Sequence, residues 1–377
     1  MFSDHSEQTS HRPVVLLAAG GTGGHLFPAE ALAEVLTRRG ITVDLATDHR
    51  AERYGSKFPA RQVHIIASET LRGRDPVSLG RAAARLGLGL IQALRVLGRI
   101  KPAAIVGFGG YPTIPPVAAG TLRNIPTLIH EQNAVIGRAN RLLAARVTAI
   151  ATSFAGVLES EPKLAGKARR TGNPVRAAVI AAAAAPYIGP DATNTLRLLV
   201  FGGSQGARIM ADIVPAAIRR LDAQLLRRLA VVQQAREEDL TRVRQAYTDA
   251  NVAAEVSPFF ADLPARIAAA HLVVARAGAS TVAELTAIGR PAILVPLPHA
   301  LDQDQSANAG VLEHAGGAIR LAQDDFTPPR LAGEISALAS APQKLVAMAA
   351  AARAQGALDA AERLANLVGD IMGRGAS

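Results

Sequence analysis

Cysteine and tryptophan are both absent from this 377-residue chain, and aromatic residues make up only 3% of it. Without cysteine there is no disulfide and no thiolate metal site, which suits a reducing compartment. So few rings argue against a platform on which single-stranded nucleic acid stacks. Uninterrupted apolar runs of about twenty residues are missing too, so no helix is expected to span a membrane. The opening stretch, MFSDHSEQTSHR, is polar and lacks the apolar segment of an export signal, which makes the expected location cytoplasmic.

Positive charge and apolar residues are plentiful. The net charge is +10 and the hydrophobic fraction 49%. The length allows two domains on a prior of about 150 residues each, with a sizeable core. A basic balance favours polyanionic partners: nucleic acid, phosphorylated substrates or an anionic membrane surface.

Apolar runs alternate with helical stretches along the whole chain. Strands are expected at 14–17, 42–46, 103–106, 127–129 and 147–151, then at 197–201, 229–232, 252–256, 271–274 and 292–295. That alternation predicts an α/β fold of parallel sheets with helices on both faces. Residues 178–195 end in a Pro/Gly-rich stretch and read as a linker between two doubly wound domains facing a cleft.

The most informative stretch is Gly20-Gly21-Thr22-Gly23-Gly24-His25, between the first strand and a helix-forming run. Glycines at such a turn let the backbone approach a ligand, and the helix start behind them favours negative charge. The dinucleotide-binding fingerprint fits poorly: counted from Gly21, the sixth position is Leu26 where glycine is required, although Asp44 and Asp48 lie near the ribose-binding distance. A tight turn with no ligand is the plain alternative.

Other polar groups gather at predicted strand ends: Gly109-Gly110-Tyr111, then His130-Glu131-Gln132-Asn133. A parallel sheet places its site there. In the second half, residues 202–208 form another glycine turn. Residues 276–284, Arg-Ala-Gly-Ala-Ser-Thr-Val-Ala-Glu, open a helix whose N–H groups suit a pyrophosphate. Glu284, about one turn in, is suited to accept sugar hydroxyls, or to pair with the helix dipole. The amide-rich loop 302–308 suits hydroxyl recognition. Its Asp302 and Asp304 lack a third acidic ligand nearby, so no metal site is expected.

Together the strings GGTGGH, GFGGY, HEQN, TGNPVR, GGSQGAR and ARAGASTVAE, with the Gln/Asn-rich loop, resemble the bacterial MurG enzymes. That resemblance runs from about Val14 through the C-terminal helix. It implies the GT-B glycosyltransferase fold, with the C-terminal helix crossing back to the N-terminal domain. The implied divisions are 13–177 (acceptor- and membrane-facing domain), 178–195 (linker), 196–355 (UDP-sugar domain) and 356–377 (returning helix). The implied activity is inverting transfer of N-acetylglucosamine from UDP-N-acetylglucosamine to lipid I, forming lipid II, with no cofactor required and no nucleic-acid partner.

By the same resemblance the donor contacts are Thr22, Gly23, Gly24, Asn133, Arg176, Ser204, Phe260, Ala279, Ser280, Thr281, Val282, Ala283, Glu284 and Gln305. Gly110, Tyr111 and Glu131 fall on the acceptor side. The acceptor hydroxyl needs a base, and His25 is the candidate, because neutral imidazole accepts a proton near pH 7. The chain departs from the family at Ile114-Pro115-Pro116, where Ser-Gly-Pro is usual, and at Asp304, where histidine is usual.

A membrane-facing role falls to Arg72, Arg74, Val77, Arg81, Arg85 and Leu88. Helical spacing puts Leu79, Ala83, Leu86, Leu90, Leu94 and Leu97 on an inward stripe, with Arg81, Arg85, Arg95 and Arg99 opposite. The implied partner is the anionic leaflet on the cytoplasmic side of the cell membrane, bound peripherally. The competing readings are another nucleotide-sugar enzyme of the same fold, such as an epimerase, a dehydrogenase, and a non-enzymatic basic membrane adaptor.

Overall fold

The computed structural model describes residues 12–20, 23–49, 58–69, 76–191, 194–203, 206–298 and 303–374. Within them thirteen strands form two all-parallel sheets. The first comprises β1 (Val14–Ala18), β2 (Thr42–Thr47), β3 (Gln62–Ile65), β4 (Ala104–Gly107), β5 (Thr127–Glu131), β6 (Ala149–Thr152) and β7 (Ala168–Arg170), in the order β3-β2-β1-β4-β5-β6-β7. The second comprises β8 (Leu196–Phe201), β9 (Leu229–Gln234), β10 (Ala253–Ser257), β11 (Leu272–Ala275), β12 (Ala292–Leu294) and β13 (Ala318–Arg320), in the order β10-β9-β8-β11-β12-β13. Strand order therefore reverses between β1 and β4, and again between β8 and β11. The glycine turns follow β1 and β8, so each opens at a switch point, where doubly wound sheets bind ligands.

Both faces of each sheet are covered. In β1, Val15 and Leu17 enter one core layer and Leu16 and Ala18 the other. In β8, Leu198 and Val200 face one layer and Leu199 and Phe201 the opposite one. This is why the strands read as unbroken apolar runs. β3, β7 and β13 were not expected from the sequence; all three are sheet edges, and much of each is open to solvent.

The long helix Pro76–Ile100 forms as its spacing predicts, but the inward seam differs. Ala82, Gly89, Ala93, Val96 and Leu97 are buried, whereas Ala83 is exposed and Leu86, Leu90 and Leu94 are only half-buried. Close approach sets the seam: a Cβ on Gly89 would collide with the Ala67 carbonyl oxygen. Small residues therefore line the closest approach, with Leu97 buried beside them and Leu90 and Leu94 packed against the core.

The chain crosses between the domains twice. After β7 it runs through residues 171–176 into the helix Ala177–Ala182, and Val175, Val179 and Ala183 lie in a core layer of the second sheet. After the helix Pro342–Ala354, which packs on the second domain, it returns. The final helix, Ala360–Arg374, packs on Gly23–Arg38 and buries Leu364, Val368 and Ile371 in the first domain's core. Arg38 and Arg39 both bind Glu362 there. The crossings touch: Gly172 (φ 85°) lies so close to the second crossing that a Cβ on it would sit 2.6 Å from the Ala357 Cβ. No single helix among the described residues is long and apolar enough to span a membrane.

Candidate functional site

The site is built from loops at the carboxyl ends of β1, β4 and β5, facing helix starts of the second domain. His25 sits in the first turn of Gly23–Arg38. Glycines make room for its ring. A Cβ on Gly110 would fall 3.3 Å from its Nε2, one on Gly109 3.4 Å from its Cε1, and one on Gly20 3.2 Å from its Cδ2. Gly109 (φ 82°) and Gly110 (φ 74°) also hold left-handed conformations that suit glycine alone. Gly24 is exposed, and Gly23 packs on Phe27, whose ring would lie 3.0 Å from an added Cβ. Tyr111 follows, half-buried, at the start of a short turn. Thr22 lies outside the described residues.

Glu131 ends β5 in complete burial. One oxygen accepts from the Asn133 N–H at 2.9 Å and from its amide at 3.2 Å; the other accepts from the Gly137 N–H at 2.9 Å and the Asn140 amide at 2.8 Å. Burial pushes its pKa up, and these four hydrogen bonds work against that rise. Expected as an acceptor contact, Glu131 has both oxygens turned inward and instead shapes the loop 132–137. His130 is internal as well: its Nε2 donates to the Gly172 carbonyl at 2.9 Å, and burial lowers its pKa to about 4, so the ring is neutral.

Arg176 joins the two halves of the site. Its guanidinium lies 3.9 Å over the Phe27 ring centroid, and its Nη2 donates to Glu284 at 3.1 Å. Burial raises the Glu284 pKa against the pull of Arg176. Glu284 stands in the helix Ala279–Ile288, whose N-cap, Gly278, provides no side-chain hydrogen bond. Ala279, Ser280 and Ala283 are partly accessible in its first turns, Val282 lies in the core, and the Thr281 hydroxyl would lie 3.9 Å from a Cβ on the N-cap Gly278. Ser280 Oγ is buried with no hydrogen-bond partner. The N-terminus thus presents unsatisfied donors, the arrangement that receives a phosphate.

The second glycine turn is equally tight. The Gly202 N–H donates to Gln234 Oε1 at 3.0 Å, a Cβ on Gly202 would strike the Ala207 backbone, and Gly203 and Gly206 take φ of 87° and 66°. Ser204 lies outside the described residues. Phe260 is buried under the Arg266 guanidinium, 4.3 Å from its ring centroid, which leaves backbone rather than ring for recognition. Gln305 Oε1 accepts from the Leu297 N–H at 3.0 Å, tying the chain after β12 to the first turn of the helix Asp304–His314.

Asn308 was not singled out from the sequence. Fully buried, it bridges the domains: its Oδ1 accepts from the Ala134 N–H at 2.8 Å, and its Nδ2 donates to Asn133 Oδ1 at 3.0 Å and Ala277 O at 3.1 Å. Asn140, which holds Glu131, was missed as well. Asn308 lay in the amide-rich stretch, but its partners in the first domain are 174 and 175 residues away; Asn140, nine residues from Glu131, carried no signal. Among the described residues no group of three or more His, Asp or Glu side chains is arranged to hold a metal.

Comparison with known proteins agrees with this architecture. Residues 15–152 match the glycosyltransferase family 28 N-terminal domain, and residues 197–364 match the glycosyltransferase family 28 C-terminal domain. A relative from Rhodopseudomonas palustris (strain BisB18), named "UDP-N-acetylglucosamine--N-acetylmuramyl-(pentapeptide) pyrophosphoryl-undecaprenol N-acetylglucosamine transferase", is 62% identical over 96% of this chain and 96% of its own length. One of the same name from Bradyrhizobium sp. (strain BTAi1 / ATCC BAA-1182) is 59% identical over 96% of this chain and 98% of its own. The crystal structure of Acinetobacter baumannii MurG superposes with a TM-score of 0.78 at 29% identity, covering 95% of this chain and 99% of that one. The fold is thus the GT-B arrangement of that structure, and the chain belongs to glycosyltransferase family 28, among its N-acetylmuramyl-(pentapeptide) pyrophosphoryl-undecaprenol N-acetylglucosamine transferases.

Proposed function

We propose that this chain transfers N-acetylglucosamine from UDP-N-acetylglucosamine to undecaprenyl-pyrophosphoryl-N-acetylmuramoyl-pentapeptide (lipid I), forming lipid II with inversion at the sugar carbon. The observation that carries the reading is Arg176. It stacks on Phe27, two residues from His25, and binds Glu284 on the opposite domain. One side chain thereby ties the candidate base to the candidate donor site.

In the proposed reaction the acceptor hydroxyl oxygen bonds to the donor's anomeric carbon from the face opposite the departing UDP. The bond from that carbon to the phosphate oxygen breaks, and UDP leaves with the electron pair. His25 takes the hydroxyl proton. The open N-terminus of Ala279–Ile288, with Ser280, stabilises the negative charge growing on the diphosphate. Arg176 turns to that diphosphate as it binds, and Glu284, released, accepts from the ribose hydroxyls. Gln305 and Asn133 are assigned to the sugar, Gly110 and Tyr111 to the acceptor.

A lipid-linked acceptor requires contact with a membrane surface. The outer face of Pro76–Ile100 suits the cytoplasmic leaflet: Leu88 and Ile91 are 49% and 50% exposed, with Arg81, Arg85 and Arg95 beside them. Arg81 and Arg85 also reach Glu69, at 3.0 and 3.5 Å, which offsets part of their charge. Arg72 and Arg74 lie outside the described residues, as does the side chain of Val77.

The test is UDP release from UDP-N-acetylglucosamine with and without lipid I. Release that requires lipid I, with lipid II as product, is expected. Donor turnover without any acceptor would favour an epimerase-like reading, and no turnover with vesicle binding intact would favour an adaptor.

A further inference from the structure

A second cleft opens at the other end of the first sheet. It has a volume of ≈ 990 Å³ and lies at the amino ends of β1, β3 and β4, whereas the transferase site uses the carboxyl ends of β1, β4 and β5. Arg12, Arg61, His64, Arg99 and Lys101 line it, and among the described residues no carboxylate does. These groups come from different parts of the chain: the approach to β1, the start of β3, and the end of the long helix Pro76–Ile100. Cations at a helix C-terminus complement its dipole, which accounts for Arg99 and Lys101 but not for Arg12 and Arg61.

Behind the lining lies a buried carboxylate. Asp44 accepts from Arg61 Nε at 2.9 Å and Nη2 at 2.8 Å, and His64 Nε2 lies 3.1 Å away. Burial pushes the Asp44 pKa up, yet the hydrogen bonds from Arg61 and His64 outweigh it and hold the group ionised. Asp44 thus fixes Arg61 at the rim while neutralising only one charge. Arg12, Arg99 and Lys101 have no acidic partner among the described residues. Three uncompensated cations around a concave surface focus a positive potential into it. The rest of the lining is aliphatic or amide, with no aromatic ring to stack a base.

We propose that this cleft binds a phosphate- or pyrophosphate-bearing ligand at a site separate from the transferase cleft. Arg99 and Lys101 supply charge-assisted hydrogen bonds, and Arg61 presents a guanidinium already oriented by Asp44. Cleft volume and charge favour a group larger than a single phosphate, recognised by its anionic part alone. The proposal does not depend on the transferase reading.

The test titrates inorganic pyrophosphate into the full chain with UDP at saturation, so that the donor cleft is occupied. Arg99→Ala/Lys101→Ala is the variant; both side chains are exposed and neither holds a partner among the described residues. The expected result is pyrophosphate binding that persists under UDP in the wild-type protein and includes a site weakened at least about tenfold in the variant, with donor kinetics unchanged. A parallel arm measures binding to phosphatidylglycerol vesicles, with Arg81 and Arg85 intact. Weaker vesicle binding with unchanged pyrophosphate binding assigns the cleft to a lipid headgroup, and the reverse assigns it to a soluble phosphate. If the variant behaves as wild type toward both probes, or wild type binds neither, the proposal is overturned.

Discussion

Single side chains at the cleft are assigned separable tasks. His25 rests against three glycines and is assigned the acceptor proton. His25→Ala is expected to lower kcat by about 10²–10⁴ and leave donor KM nearly unchanged; steady-state kinetics at neutral pH check this, and near-wild-type kcat would make the ring structural. Glu284→Ala should act on the other quantity, weakening donor use by about 1–3 kcal/mol through loss of a buried hydroxyl acceptor. It also leaves Arg176 without its partner, so a donor KM unchanged in the variant would remove Glu284 from the ribose site. Residues of this kind were legible in the sequence because each belongs to a short, ordered string. Asn308 and Asn140 were not. Asn308 acts through Asn133 and Ala134, on the other domain, and Asn140 through the buried Glu131. No local pattern announces such pairs.

At the scale of elements, central strands were readable and edges were not. β1, β8 and β11 are apolar on both faces, whereas β3 and β7 carry Gln62, His64, Arg169 and Arg170 and read as loop. The helix Pro76–Ile100 was recognised by period, and Leu90, Leu94 and Leu97 of the expected stripe meet the core, but Ala83 is exposed and Ala82, Gly89 and Ala93 are buried instead. Which turn faces inward is decided by backbone clearance at Gly89, a quantity absent from hydrophobic periodicity. Gly89→Ala should therefore destabilise the protein by about 1–3 kcal/mol despite alanine's better helix propensity; the denaturant midpoint reports it. On the outer face, binding to anionic vesicles should fall with salt and fall further in Arg81→Glu/Arg85→Glu, each arginine near an anionic leaflet contributing about 1 kcal/mol. Equal binding to neutral and anionic vesicles at low salt would remove the electrostatic account.

For the whole molecule, stability carries a signature of the buried His130. Its pKa falls from 6.5 to about 4 in the folded chain. The folded state therefore holds fewer protons, and the associated stability is present above pH 6.5 and is lost as pH falls toward 4. The full loss is about 3 kcal/mol. His130→Gln keeps a donor for the Gly172 carbonyl but takes up no proton. Its melting temperature should fall less steeply than that of the wild type between neutral pH and pH 4, and parallel curves would show that His130 does not titrate with unfolding.

Gly172 gives that carbonyl a second significance. It lies where the outgoing and returning crossings of the chain touch, packed against Ala357. The two links between the domains therefore run side by side at one edge of the molecule. Their contact is also connected to the cleft, since Gly172 receives His130 and the next residue on β5, Glu131, holds the loop that meets Asn308. The contact between the two links and the contact across the cleft are thus anchored on neighbouring residues of one strand end.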